Sequence, residues 1–190
     1  MSLLRIHSRI AVSHANGPGA RSVIWTQGCD LACPGCFNPE THESTLGDLI
    51  DTSELVAWVQ ANEVEGVTIS GGEPLAQADA SLDLARRCSD AGLTVVMFSG
   101  YSWRYLSLRQ PALLREVSEN VDVLLAGRYD QSKRSARGLR GSSNKTVHLL
   151  SSAYSQADIE EVPEAEIMIS PSGQVTYSGV DPAVPTSFLV

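Results

Sequence analysis

Three cysteines stand close together in Cys29-Asp-Leu-Ala-Cys33-Pro-Gly-Cys36, a C-x3-C-x2-C spacing. Three thiolates on so short a loop can converge on one centre. A cubane cluster has four irons, so three cysteines leave one iron without a protein ligand. That open iron can take a substrate or cofactor, which a four-cysteine electron-transfer cluster cannot readily do. A structural zinc site is a second reading, with nearby His42 as fourth ligand. Zinc ligands usually come as two separated pairs, however, and the sequence offers no second pair. Incidental thiols are the third reading, while a disulfide is disfavoured by the compartment argued below. Cys88 lies far from the others, in a helical pattern beside Arg86 and Arg87. It reads as a partly buried structural thiol, with a fourth ligand or redox partner as the alternative.

Two further stretches sit where chemistry is commonly placed. Ser70-Gly71-Gly72-Glu73-Pro74 follows a strand pattern. Two glycines let backbone approach a ligand closely, and Glu73 can accept hydrogen bonds from an ammonium group. A plain strand-to-helix turn explains the same residues. A phosphate-binding loop does not, because the Lys and Ser/Thr that should follow the glycines are missing. Ser99-Gly100-Tyr101 follows the next strand pattern, and Asn16–Arg21 precedes the first; each alone is an ordinary loop.

The elements that would position these residues alternate regularly. Strands are predicted at Ser22–Gln27, Gly66–Ser70, Thr94–Phe98, Val121–Ala126 and Thr146–Leu150 from their β-branched and apolar content. Helices are predicted from Asp51 or Thr52 to Ala61, with Leu55, Val56 and Val59 on one face, and over Ala76–Ala91, closed by Gly92. Leu106–Glu119 reads as helix restarting at Pro111, and Ala157–Val162 as a short helix. Residues 127–145 carry several positive charges and little apolar content, and read as an exposed loop. Glu166–Ser170, Pro171-Ser172-Gly173 and Gln174–Ser178 read as strand, turn, strand. The last dozen residues are expected to be irregular. Alternating strands and helices predict an α/β fold with a largely parallel sheet and right-handed crossovers. About five units are too few for a complete eight-stranded barrel of about 250 residues. The expected architecture is a partial, open β/α barrel in one domain, residues 1–190. Its core would span about 20–150 and a C-terminal hairpin about 165–179. In such sheets ligands sit at the C-terminal strand ends, where the cysteine loop, the glycine turn and Ser99-Gly100 all fall.

Composition narrows the class. Lys plus Arg is 14 against 22 Asp plus Glu, a net charge of −8 over 190 residues. That argues against a uniformly basic nucleic-acid binder. No apolar run approaches the roughly 20 residues of a membrane-spanning helix. The N-terminus lacks the apolar segment of a secretory signal, so a cytoplasmic protein is expected. The basic stretch around Lys133, Arg134, Arg137, Arg140 and Lys145 is either solvated or a docking surface for an acidic partner.

Taken together, these residues resemble the radical S-adenosylmethionine superfamily, with its C-x3-C-x2-C and Gly-Gly-Glu motifs in order after the first and second strands. The closer resemblance is to activating enzymes of glycyl radical enzymes, above all the anaerobic ribonucleotide reductase activases. It is carried by Gly17-Pro18-Gly19-x-Arg21, Trp25–His42, Ile69–Pro74, Ser99–Tyr101, Arg140–Asn144 and Glu166–Gly179. The resemblance implies that Cys29, Cys33 and Cys36 ligate a [4Fe-4S] cluster whose fourth iron takes S-adenosylmethionine. Gly71, Gly72, Glu73 and Pro74 would hold the methionine amino group, and Ser99 and Gly100 would lie along ribose or methionine. Phe37 stands after the third cysteine instead of before it, a feature shared with the reductase activases; Phe37 and Asn38 are taken as cofactor-side residues. Ala126-Gly127-Arg128 replaces the acidic residue the pattern suggests after the fourth strand. Reductive cleavage of S-adenosylmethionine would give a 5′-deoxyadenosyl radical, used to install a glycyl radical on a large partner, with flavodoxin or ferredoxin as electron donor. With so little added structure the mouth of the site should be wide enough for a protein loop. Alternatives are an enzyme acting on a peptide or small molecule, like a maturase or the 7-carboxy-7-deazaguanine synthases, and a non-catalytic iron–sulfur interaction module.

Overall fold

The β-branched runs form the middle of one open sheet. The computed structural model describes residues 2–180, so the expectation of irregular backbone at the C-terminal end falls mostly outside the described residues. Nine strands and five helices occur there: β1 Leu3–Ser13, β2 Arg21–Thr26, β3 Asp48–Asp51, α1 Thr52–Ala61, β4 Gly66–Gly71, α2 Ala78–Asp90, β5 Thr94–Ser99, α3 Trp103–Arg109, α4 Pro111–Asn120, β6 Val123–Ala126, β7 Thr146–Leu149, α5 Gln156–Glu160, β8 Ala165–Ile169 and β9 Val175–Gly179. Seven strands are ordered β3-β1-β2-β4-β5-β6-β7, and β8 with β9 makes a separate hairpin. Strands β2, β4, β5 and β6 run parallel. β1 pairs antiparallel with β2 and β3, and β7 antiparallel with β6. The parallel centre and the hairpin match the α/β expectation.

Three features differ from it. The sequence pattern does not mark β1 and β3 as strands. Half of β1 is polar and it carries two register shifts against β2, so the period-two signal that marks a strand is broken. β7 returns antiparallel, a sense that strand patterns cannot specify. Residues 127–145 do not lie loose in solvent: Leu139 is 1% exposed and Ser142 is fully buried. The stretch folds back on itself through two short 3-10 turns and an Arg134–Ser142 bridge.

Strand alternation divides the core into two faces. From β5 and β6, Val95, Met97 and Leu124 face α1, α2 and α4, together with Leu55, Val59, Leu84 and Val117. Val96, Val123 and Leu125 face the other way, against Leu139 and Ile159 of the 127–145 segment and α5. The 127–145 segment and α5 therefore cover the second face of β5 and β6. α1 begins where Asp51 accepts a hydrogen bond from the Ser53 N–H, and Gly92 (φ +79°) follows the end of α2. Pro111 does restart the helix, separating α3 from α4.

At the N-terminal end of the parallel strands the guanidinium of Arg21 is fully buried. It donates to Thr68 Oγ1 (3.1 Å), Pro18 O (2.6 Å), Tyr154 OH (2.8 Å), Thr94 O (3.1 Å) and Thr94 Oγ1 (3.1 Å). The Gly17–Arg21 motif is thus a clamp across β2, β4 and β5, far from the cysteine loop. No helix among the described residues is long and apolar enough to cross a membrane.

A second tie joins the helices. Asp83 on α2 accepts from Thr52 Oγ1 (2.5 Å), Arg86 (2.7 Å) and Arg87 (2.7 Å). Burial pushes its carboxyl up, but these donors outweigh it and hold the pKa at about 2. The stabilisation is complete above the unfolded value near 3.9 and is lost as pH falls through about 2. Asp83→Asn should therefore cost about 1 kcal/mol at neutral pH. In urea unfolding followed by circular dichroism, that difference should shrink as pH is taken from 5 towards 2.

Candidate functional site

All four parallel strands end at the same edge, and each hands over to a loop. The loop after β2 carries the cysteines. It is closed at its base by Gly28 N–H to Thr41 O (2.7 Å) and Cys29 N–H to His42 O (3.1 Å), and turned at its tip by Cys36 N–H to Cys33 O (3.1 Å). Ala32 within it has φ +45°, an unfavourable left-handed backbone for a residue with a side chain. The glycine turn after β4 lies directly against this loop. At Gly71 (φ +105°) a Cβ would sit 2.4 Å from Thr26 N, and at Gly72 it would sit 2.3 Å from Gly28 O. The two glycines serve contact between backbones within the protein.

These loops enclose one cavity of about 490 Å³. Cys29, Cys33 and Cys36 line it, together with Phe37, Asn38, Gly71, Gly72, Ser99 and Gly100. Nine of the eleven residues singled out from sequence thus share one space. All three cysteines are free and half-buried. Burial raises the Cys29 thiol against the Leu31 N–H, with the Glu73 charge adding to the rise. Burial likewise raises Cys36, against the Asn38 N–H and Lys145. Cys88 is fully buried in α2, and burial alone pushes its thiol to about 12. It packs in the core, more deeply than the partly buried thiol expected from sequence.

Glu73 and Pro74 do not line the cavity. Glu73 is wholly buried behind its wall. Its carboxylate accepts from the Leu75 N–H (2.9 Å), Ser99 Oγ (2.9 Å) and the Gly100 N–H (2.6 Å). Burial raises its pKa, while these donors and Lys145 oppose the rise. In this arrangement Glu73 fastens the β4 loop to the β5 loop, and the surfaces offered to a ligand are Gly71, Gly72, Ser99 and Gly100.

Sequence reading missed the segment that roofs the site. The Arg128 guanidinium donates to Leu31 O in the cysteine loop. Tyr129 packs on Phe37 with ring centroids 4.6 Å apart, and the Arg134 guanidinium lies 5.5 Å over the same ring. Lys145, at the start of β7, lines the cavity. Burial lowers its pKa, opposed by Glu73, Cys33 and Cys36. Arg137 and Arg140 pair with Glu160 (2.6 and 3.0 Å), and Lys133 with Asp130 (3.1 Å). Much of the basic segment's charge is therefore spent within the protein. The far wall comes from His7–Ile10 of β1 and Thr176–Gly179 of β9. The hairpin is fixed there by Glu166 on Ser13 and on the His14 N–H (2.9 Å), and by Asn16 Nδ2 donating to Ser178 Oγ (2.6 Å). The hairpin itself is legible as strand, turn, strand, but nothing in the sequence pattern places it against the cavity.

The zinc reading asks for a tight shell. Among the described residues, no three His, Cys, Asp or Glu side chains converge as a single ion requires. His42 lines the cavity with its Nε2 buried and, among the described residues, without a hydrogen-bond partner. A cubane spreads its three thiolate ligands around a larger body, and soft thiolates suit iron–sulfur chemistry.

The carboxylate tie yields a stability test. Glu73→Ala leaves three buried donors without an acceptor and should cost about 3 kcal/mol in guanidinium unfolding. Glu73→Gln keeps one oxygen for Leu75 and Ser99, so its loss should be clearly smaller.

A model of the 4Fe-4S single cluster domain matches residues 15–148. The anaerobic ribonucleoside-triphosphate reductase-activating protein of Salmonella typhimurium is 30% identical over 77% of this chain and 99% of its own length. Its counterpart in Escherichia coli is 27% identical over 77% and 99%. The pyruvate formate-lyase-activating enzyme of Clostridium pasteurianum is 34% identical over 54% of this chain, but the match spans only 46% of that enzyme.

Proposed function

The chain belongs to the 4Fe-4S single cluster domain family and to the radical S-adenosylmethionine activating enzymes, and on that premise we propose that it installs a glycyl radical on a large partner enzyme. Its cofactors are a [4Fe-4S] cluster and S-adenosylmethionine. The observation that carries the reading is the cavity itself, in which three free cysteines of one loop meet two loops of small residues. Cys29, Cys33 and Cys36 would hold the cluster, leaving one iron for S-adenosylmethionine. When bound, the pair supplies a 5′-deoxyadenosyl radical that can take a hydrogen atom from a substrate.

The chain's own residues do the positioning. Backbone at Gly71 and Gly72 would receive the methionine end of the cofactor, and Ser99 and Gly100 its ribose side, with Glu73 holding both loops from behind. Phe37, flanked by Tyr129 and Arg134, offers a flat apolar wall, and Asn38 stands beside it. Strand β1 and the β8–β9 hairpin bound the rest of the cavity and would admit the partner's glycine-bearing loop. A ribonucleoside-triphosphate reductase is the partner supported by relatives matched over nearly their whole length. The electron donor would be a flavodoxin or ferredoxin.

Anaerobic reconstitution with iron and sulfide, followed by spin-resonance spectroscopy of the reduced protein, tests this. The expected result is a [4Fe-4S] signal that changes when S-adenosylmethionine is added. A signal indifferent to the cofactor would refute an open iron. Substituting Cys29, Cys33 or Cys36 by Ala should abolish cluster loading, whereas Cys88→Ala should load fully. Incubation with the reductase should then generate a glycyl signal, and its absence with a competent cluster would remove the activase role.

A further inference from the structure

A half-buried ammonium lines the same cavity as the three thiols. Lys145 follows a turn in which its own N–H donates to Ser142 O (3.1 Å). Its backbone lies against Gly127, just past the end of β6. The antiparallel return of β7 thus places it at the edge of the sheet where the parallel strands end. From there its side chain lines the cavity shared by Cys29, Cys33 and Cys36, within electrostatic reach of Cys33, Cys36 and Glu73. Among the described residues, no hydrogen bond or ion pair satisfies its Nζ. The neighbouring cations are arranged differently: Lys133, Arg137 and Arg140 have carboxylate partners and Arg128 has the Leu31 carbonyl. Glu73, the carboxylate within its reach, already holds three donors.

A half-buried ammonium with no carboxylate paired to it leaves its charge available to an anion placed in the cavity beside Lys145. Three thiolates around an iron–sulfur core supply net negative charge at that position, and reduction adds one more electron. Reduction potentials of such clusters respond to net charge and to nearby donors. Resting on the cluster assignment above, we propose that Lys145 is the counter-cation of the cluster site, where its ammonium favours the reduced cluster and so eases uptake of the electron.

The test uses the full chain and no S-adenosylmethionine. Wild type, Lys145→Gln and Lys145→Arg are reconstituted anaerobically, and iron and sulfide are counted. Each is then titrated with dithionite and mediators while the reduced cluster is followed by spin resonance. Lys145→Gln should load iron as wild type does but show a roughly tenfold lower ratio of reduced to oxidised cluster at a fixed potential. For one electron that is a shift of about 59 mV to more negative potential. Lys145→Arg, which keeps the charge, should recover most of it. An unchanged potential in a fully loaded Lys145→Gln protein would overturn the proposal. So would an effect seen only when S-adenosylmethionine is present, which would assign the ammonium to that cofactor's carboxylate. If Lys145→Gln fails to load, the Arg variant decides: loading with near-wild-type potential supports the charge, and failure of both makes Lys145 a packing residue. A wild-type protein that assembles no cluster would instead refute the cluster assignment on which the proposal stands.

Discussion

The carboxylate of Glu73 has no contact with solvent, and the shape of the site depends on how it is satisfied. A buried charge is tolerated where donors surround it. Here the donors come from its own loop, at Leu75, and from the loop after the next strand, at Ser99 and Gly100. Its N–H in turn donates to Gly28 O, at the foot of the cysteine loop (3.0 Å). Three loops, contributed by β2, β4 and β5, are therefore tied at one residue. The two preceding glycines are needed because the backbones being tied run so close that a Cβ would overlap Thr26 or Gly28.

The opposite edge of the sheet is secured by different chemistry. There Arg21 distributes its donors over Pro18, Thr68, Thr94 and Tyr154, and Tyr154 OH donates to Glu65. The guanidinium's fixed fork suits a place where several carbonyls and hydroxyls converge at strand starts. One end of the parallel strands is thus locked by a cation that bonds to neutral acceptors with Glu65 3.8 Å away, the other by an anion among neutral donors. The second end has the cavity beside it.

The parallel centre is legible in the sequence because Ser22–Gln27, Gly66–Ser70 and Thr94–Phe98 are short β-branched runs flanked by turn residues. The site is legible for the same reason: the cysteines and the glycine turn follow those runs directly. β1 is not, because its polar residues serve the cavity wall and its bulges break the alternation. The 127–145 segment misleads through composition. Its arginines look made for water, yet their partners Glu160 and Leu31 lie far along the chain, and local pattern says nothing about pairing at that separation. Glu73 is the complementary case: a carboxylate in a ligand-binding motif reads as a ligand contact, and the bonds it accepts from Ser99 and Gly100 come from a loop that no local pattern connects to it.

Lys145 and the cysteine loop are joined across the cavity but separated by more than a hundred positions in the chain. During synthesis the thiols leave the ribosome first, and the residues of β2, β4 and β5 are made before the segment that covers them. A nascent chain can therefore display Cys29, Cys33 and Cys36 without their roof or their nearby ammonium. The complete pocket needs Thr176–Gly179 as well, and the timing of translation separates an early, open cradle of cysteines from the later enclosed one.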